Sequence, residues 1–113
     1  MTGYEFGDLA LVPFPFTNQT TTKRRPAVVV SSNADHRERP DLVILAVTSQ
    51  VRPVAGFGET AIVQWKEAGL LKPSVFKPVL ATIERRLVLR THGKLTEEDR
   101  ATLRRVLAEI HGA

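Results

Sequence analysis

The chain alternates short apolar runs with polar stretches that contain proline or glycine, and this spacing restricts its fold more than any other feature. Most runs are rich in valine, leucine and isoleucine, which is typical of short buried strands. We predict strands within residues 8–16, 26–32, 42–47, 60–65, 74–84 and 87–91. No long helical segment connects them, so mostly antiparallel pairing is expected, in a compact and partly open barrel.

Three features refine this prediction. Pro13 and Pro15 cannot donate to a strand ladder, so residues 8–16 are expected at an edge or a bend. The small polar residues 17–22 predict a loop, and Gly93 is expected to turn the chain before the C-terminal helix.

One amphipathic helix is predicted at the C-terminal end. Thr96 is a suitable N-cap, and the acidic residues that follow it suit the positive end of the helix dipole. Asp99 takes the third helical position, as in a weak version of the capping box. Apolar residues then recur with helical spacing at Leu103, Val106, Leu107 and Ile110. This stripe predicts packing against the sheet.

Composition restricts the class of protein. With 113 residues there is room for one core, and residues 1–113 are expected to form a single domain. The chain has no cysteine, which excludes disulfides, thiolate nucleophiles and cysteine-ligated zinc. No apolar run has transmembrane length and the first residues do not resemble a signal peptide, so a cytoplasmic location is expected. A formal net charge of +4 favours an anionic partner, either nucleic acid or an acidic protein segment.

Three consecutive cations, Lys23, Arg24 and Arg25, run directly into Pro26 and three valines. Pro26 fixes its own backbone and favours an extended Arg25, so the guanidinium is predicted at a rigid position where a loop meets a strand. A rigid, forked donor suits the binding of phosphate. Solvated charge that keeps a hairpin loop soluble is the alternative explanation of this run.

The strand predicted at 42–47 changes abruptly to polar residues at Thr48, Ser49 and Gln50. In an antiparallel pair, the end of this strand and the start of the preceding one lie at the same edge of the sheet. The sequence therefore predicts that Arg25 and Thr48 lie close together.

No cofactor or metal is predicted, because the sequence lacks a Gly-rich phosphate loop, a His-x-x-x-His pair and carboxylates with ligand spacing. His36 fits a solvated charged loop, and His111 suits the C-terminal end of a helix. Hydrolysis of RNA requires none of these groups, since the 2′-hydroxyl of the substrate is its own nucleophile. Arg25 can neutralise the developing charge, and Thr48 and Ser49 can supply hydroxyl hydrogen bonds. Arginine stays protonated in proteins and is a poor general base, so residue type alone leaves the proton acceptor open.

Taken together, these motifs resemble MazF/PemK-type toxins, the mRNA interferases of bacterial type II toxin–antitoxin systems. The resemblance covers nearly the whole chain, and the order and spacing of the Arg-Pro-Ala and Thr-Ser-Gln motifs make it specific. The matching segments are Gly-Asp at 7–8 with the following strand, Phe-Pro-Phe-Thr at 14–17, the cationic run and strand at 23–31, Val-Thr-Ser-Gln at 47–50, Lys-Pro-Ser-Val at 72–75, Thr-Ile-Glu at 82–84, and Gly-Lys-Leu at 93–95 with the helix.

The resemblance implies an SH3-like, partly open antiparallel β-barrel with a C-terminal amphipathic helix, which dimerises. It also implies metal-independent cleavage of single-stranded RNA that leaves a 2′,3′-cyclic phosphate, with Arg25 and Thr48 as catalytic residues. The substrate-binding residues expected beside them are Lys23, Arg24, Ser49, Gln50, Ser74 and Lys77. The implied partner is a cognate antitoxin whose acidic C-terminal segment fills the RNA groove. Ala81 departs from the arginine or polar group of many relatives and the loop at 17–23 is short, which concerns base recognition more than cleavage.

Two other functions are weighed against a ribonuclease. A non-catalytic toxin of the same fold, which binds a protein target such as DNA gyrase, would lack the arginine and hydroxyl pair that is present here. A plain RNA- or DNA-binding barrel should interleave aromatic residues with its cations, and only Phe14 and Phe16 lie near the cationic run. The ribonuclease is therefore the preferred prediction.

Overall fold

The computed structural model describes residues 4–15, 22–31, 41–49 and 60–112. They form one six-stranded sheet in the order β4-β5-β3-β2-β1-β6, in which every pairing among the described residues is antiparallel. The sheet curls into a half-barrel, and one C-terminal helix completes the predicted fold class. The strands are β1 (Asp8–Pro15), β2 (Thr22–Val29), β3 (Asp41–Thr48), β4 (Thr60–Ile62), β5 (Ser74–Glu84) and β6 (Arg90–Lys94), and the helix is α1 (Glu97–Ile110).

β1 is not an edge strand along its whole length, because it pairs with β2 on one side and with β6 on the other, but among the described residues the part that holds the two prolines pairs with β2 alone, as the alternative prediction of one unpaired side requires. The pairing with β6 covers only Asp8 to Leu11 of β1. Pro13 and Pro15 therefore lie where β6 has ended, and their missing N–H groups interrupt no pairing on that side.

The position predicted for the cations is also corrected. They lie within β2, which starts at Thr22, and not at a loop–strand junction. Pairing with β1 continues to Pro15 opposite Thr22, so this partner extends the strand through the three cations. Arg25 is paired with Val12.

Three further predictions in the second half of the chain change. β4 ends at Ile62 and is followed by a turn, so the strand predicted to Trp65 is too long. The strand predicted at 87–91 starts later, because Leu87 ends a short 3-10 turn that begins at Arg85, and β6 begins only at Arg90. Gly93 lies within β6 and does not turn the chain. A Cβ atom at Gly93 would lie 2.5 Å from the Ala68 carbonyl oxygen, so this glycine permits close backbone contact.

Two apolar clusters lie on opposite faces of the sheet, because alternate residues of a strand point to opposite sides. The helix-side cluster joins residues of β1, β2, β3 and β5 to Leu103 and Val106 of α1. The opposite cluster contains the alternate residues of the same strands, including Val12, Ala27 and Ala46. The spacing of a strand residue from the members of these two clusters therefore shows on which face of the sheet its side chain lies.

α1 begins as predicted, since the Thr96 hydroxyl accepts a hydrogen bond from the Asp99 N–H at 3.4 Å. The Asp99 side chain is fully buried and binds the turn after β4, an interaction that the capping pattern did not predict. Its Oδ1 accepts from the Val63 N–H at 2.9 Å and its Oδ2 from the Gln64 N–H at 2.8 Å. The carboxylate therefore joins the helix to the turn. Across the described ranges, no helix is both long and apolar enough to span a membrane.

Candidate functional site

Arg25 and Thr48 lie on neighbouring strands, near the same edge of the sheet. Ala27 of β2 is opposite Ala46 of β3, and this register, extended by two residues, places Arg25 opposite Thr48. The predicted antiparallel pairing of these strands is confirmed. Both residues are half-buried.

Both side chains belong to the sheet face that is turned away from α1. Ala27 and Ala46 are members of the opposite cluster, and Arg25 and Thr48 follow them at a spacing of two residues along their strands. The Nε atom of Arg25 is shielded from solvent. Partial desolvation strengthens the interaction of a guanidinium with an anion, so this edge of the sheet is suited to bind phosphate.

Of the remaining predicted substrate-binding residues, Lys23 and Arg24 lie on β2 and Lys77 lies on β5. Lys23 is opposite Phe14 in the β1–β2 ladder, and Arg24 beside it is exposed. Lys77 is half-buried on β5. Gln50 lies outside the described residues.

Ser49 and Ser74, by contrast, are brought together in one pocket. Its volume is about 260 Å³, and its walls are mostly apolar. Pro26 and Leu11 place it on the helix side of the sheet, because they alternate with members of the opposite cluster. The lining residues are Leu11, Pro26, Ser49, Leu70, Leu71, Lys72, Ser74 and His92.

Sequence reasoning missed His92 and the segment that holds Leu70, Leu71 and Lys72. The sequence feature that could have identified this segment is the pair of leucines, Leu70 and Leu71, in a connection that is otherwise mostly polar. Leu71 is 89% exposed at the pocket, although leucine usually lies inside a domain.

Burial, and to a smaller extent the positive charge of Arg90, lowers the pKa of His92 from its ordinary value of 6.5. The unfolded chain then binds a proton at this site at a higher pH than the folded chain, so the free energy of unfolding should fall as pH decreases through 6.5. His92→Gln should reduce this fall, as measured by urea denaturation at about pH 7.5 and about pH 5.5. An unchanged pH dependence in the variant would show that His92 does not contribute. His111→Gln, at the exposed end of α1, is the matched control.

Among the described residues, no three histidine, aspartate or glutamate side chains are grouped so that they could hold a metal ion. The site residues described above offer a guanidinium, hydroxyl groups and an imidazole.

Comparison with known proteins identifies a family that matches this chain and solved structures that share its fold. Residues 5–111 match the family described as PemK-like, MazF-like toxin of type II toxin-antitoxin system. Comparison with curated protein sequences gives no significant match.

Several solved structures share this fold. An endoribonuclease from Mycobacterial species in complex with its cognate antitoxin is 18% identical, with a TM-score of 0.74 over 99% of this chain and 96% of that one. An endoribonuclease from Mycobacterial species is 19% identical, with a TM-score of 0.76 over 99% and 94% of the two chains. MazF (Form-I) from Deinococcus radiodurans is 18% identical, with a TM-score of 0.75 over 100% and 99%.

Proposed function

The chain belongs to the PemK-like, MazF-like toxins of type II toxin–antitoxin systems, and we propose that it is an endoribonuclease that cleaves single-stranded mRNA. The observation that carries this proposal is the register of β2 and β3, which places a half-buried arginine opposite a half-buried threonine on one face of the sheet. The structural relatives that are endoribonucleases support the same activity.

The reaction is a transesterification within the RNA. The 2′-oxygen attacks the adjacent phosphorus, the bond from phosphorus to the 5′-oxygen breaks, and a 2′,3′-cyclic phosphate and a 5′-hydroxyl are formed. The 2′-hydroxyl releases a proton and the departing 5′-oxygen takes one up, so neither a metal ion nor water is a reactant. Arg25 stabilises the negative charge on the non-bridging oxygens with its forked donors, and Thr48 supplies a hydroxyl hydrogen bond at the same phosphate.

The proposal includes a homodimer and a cognate antitoxin with an acidic C-terminal segment. Among the described residues, β5 pairs with β4 from Ser74 to Phe76, and Val79 and Leu80 beyond this segment are 36% and 38% exposed. Exposed apolar residues on a strand support contact with a second copy. The net charge of +4 supports an acidic partner segment. We place the activity in the cytoplasm, where the mRNA is.

The test is incubation of the purified protein with a long single-stranded RNA in EDTA, followed by mapping of the cut ends. We expect discrete cuts whose upstream fragments carry a cyclic phosphate and whose downstream fragments carry a 5′-hydroxyl. Intact RNA after incubation with a folded protein, over several unrelated sequences, would contradict the proposal and favour a toxin that binds a protein target.

Thr48→Val is expected to lower the rate of cleavage by roughly a hundredfold, since it removes the hydroxyl and keeps the shape of the side chain. Thr48→Ser should retain most of the activity. Single-turnover cleavage of a short RNA that contains one mapped site measures both rates. The control is Thr91→Val, which makes the same change at an exposed position on β6. Its rate of cleavage should stay within about twofold of the parent rate. Equal rates for Thr48→Val and Thr91→Val would remove Thr48 from the proposed mechanism.

A further inference from the structure

The pocket on the helix side lies directly behind the proposed catalytic pair. Pro26 and Ser49 line it, and each follows a proposed catalytic residue by one position. Successive residues of a strand are about 3.3 Å apart and point to opposite faces. A molecule in the pocket therefore contacts the same strand ends as a phosphate held by Arg25 and Thr48, but from the other face.

The volume of the pocket suits a nucleobase. A cavity of about 150 Å³ accommodates a benzene ring, so a pocket of about 260 Å³ has room for one or two fused rings. Leucine and proline side chains supply apolar surface for the faces of a base, from Leu11, Leu70, Leu71 and Pro26.

The polar groups of the lining match the edge of a base. Burial lowers the pKa of His92, which favours the neutral imidazole, and a neutral imidazole offers one donor and one acceptor. The Ser74 hydroxyl donates to the Lys72 carbonyl at 2.9 Å, which leaves its oxygen able to accept. Ser49 adds an exposed hydroxyl, and Lys72 adds an exposed cation to the lining.

An apolar side chain of a protein partner fits this lining less well. It would cover the imidazole and the hydroxyl groups without giving them hydrogen bonds, which costs free energy for each buried polar group. A base satisfies them, and the positive charge of the chain favours the accompanying phosphates.

We propose that this pocket is a specificity subsite that holds an unstacked nucleobase of single-stranded RNA beside the scissile phosphate, with His92 as the residue that selects the base. The inference rests on the proposed ribonuclease function. Single-stranded RNA is suited to it, because unpaired bases can turn away from the backbone and offer their edges to side chains.

The first test compares His92→Leu with His92→Gln on a pool of RNA with randomised bases around one cut. His92→Leu keeps an apolar wall and removes both hydrogen bonds, so base preference at one position beside the cut should fall about tenfold while cleavage continues. His92→Gln keeps a donor and an acceptor and should retain most of the preference. His111→Leu and His111→Gln, outside the lining, should leave the profile unchanged. A His92→Leu profile that matches the parent at every position would overturn the inference.

The second test separates this inference from the proposed function, because it does not depend on cleavage. NMR signals of the His92 ring and of the Ser49 and Leu71 amides are followed while a fully 2′-O-methylated RNA oligonucleotide is added. We expect these signals to shift together with those of Thr48. If the protein cuts RNA but only the signals of Thr48 shift, the proposed subsite is wrong and the proposed ribonuclease function is retained. If the protein neither cuts nor binds RNA, both fail. If an acidic peptide shifts the pocket signals and RNA does not, the occupant is a protein segment and the inference fails.

Discussion

Replacing Arg25 by alanine is expected to lower the rate of RNA cleavage by at least about a hundredfold, and by up to roughly a thousandfold. In the proposed mechanism the guanidinium is the cationic group that stabilises the charge on the phosphate, and its partial burial would increase its effect. Arg25→Lys keeps the charge without the planar fork and should recover only a small part of the rate. Single-turnover assays with a short RNA measure all three proteins.

The control for this prediction is Arg105→Ala. It removes the same charge from an exposed position on α1, so cleavage should change by no more than about twofold. Since Arg25 is half-buried within β2, its variants must also be shown to be folded, by circular dichroism and urea denaturation. A folded Arg25→Ala protein that cuts at the parent rate would contradict the proposed role.

The second large effect concerns stability. Asp99→Ala is expected to lower the free energy of unfolding by roughly 3 kcal/mol, because a fully buried carboxylate that binds two backbone N–H groups is lost. For a domain of this size the melting temperature should fall by about 10 °C or more. Asp99→Asn keeps one acceptor but turns an N–H group toward a donor, so it should recover only part of the loss. Urea denaturation measures the series.

Glu98→Ala is the matched control for Asp99. It removes the neighbouring carboxylate of the same helical turn from an exposed position and should cost about 0.5 kcal/mol. If Asp99→Ala were no less stable than Glu98→Ala, the connection between α1 and the turn after β4 would contribute little. That turn leads to Leu70 in the pocket, so we also expect Asp99→Ala to weaken base preference before it affects cleavage.

Secondary structure was predicted correctly where the local residue pattern and the packing of the folded chain favour the same element. β3 is a continuous apolar run with polar flanks, and α1 has a hydroxyl N-cap and one apolar stripe. Both were predicted close to their observed bounds. The antiparallel pairing of β2 with β3 was expected because the sequence shows no long helical segment between strands, and it brought Arg25 and Thr48 to one edge.

The predictions were wrong where contacts with distant segments of the chain, and not the local residue pattern, determine the secondary structure. β2 extends through the cations because β1 supplies hydrogen-bonding partners there, and no local signal at Thr22 indicates that. Gly93 looked like a turn, but its role is close contact with the Ala68 backbone across the fold. His92 lies in the pocket only because β6 brings it beside segments distant in sequence, and a lone histidine carries no pattern that predicts such a position.

The measurement that tests the central claim most directly uses a short RNA with one mapped cut and its counterpart with a single 2′-deoxy nucleotide on the 5′ side of that cut. If the 2′-hydroxyl of the substrate is the nucleophile, the deoxy substrate should bind with similar affinity and remain uncut in EDTA, while the all-RNA substrate is cleaved. Cleavage of both substrates at the same rate would contradict the account, because a nucleophile other than the 2′-hydroxyl would then attack the phosphate.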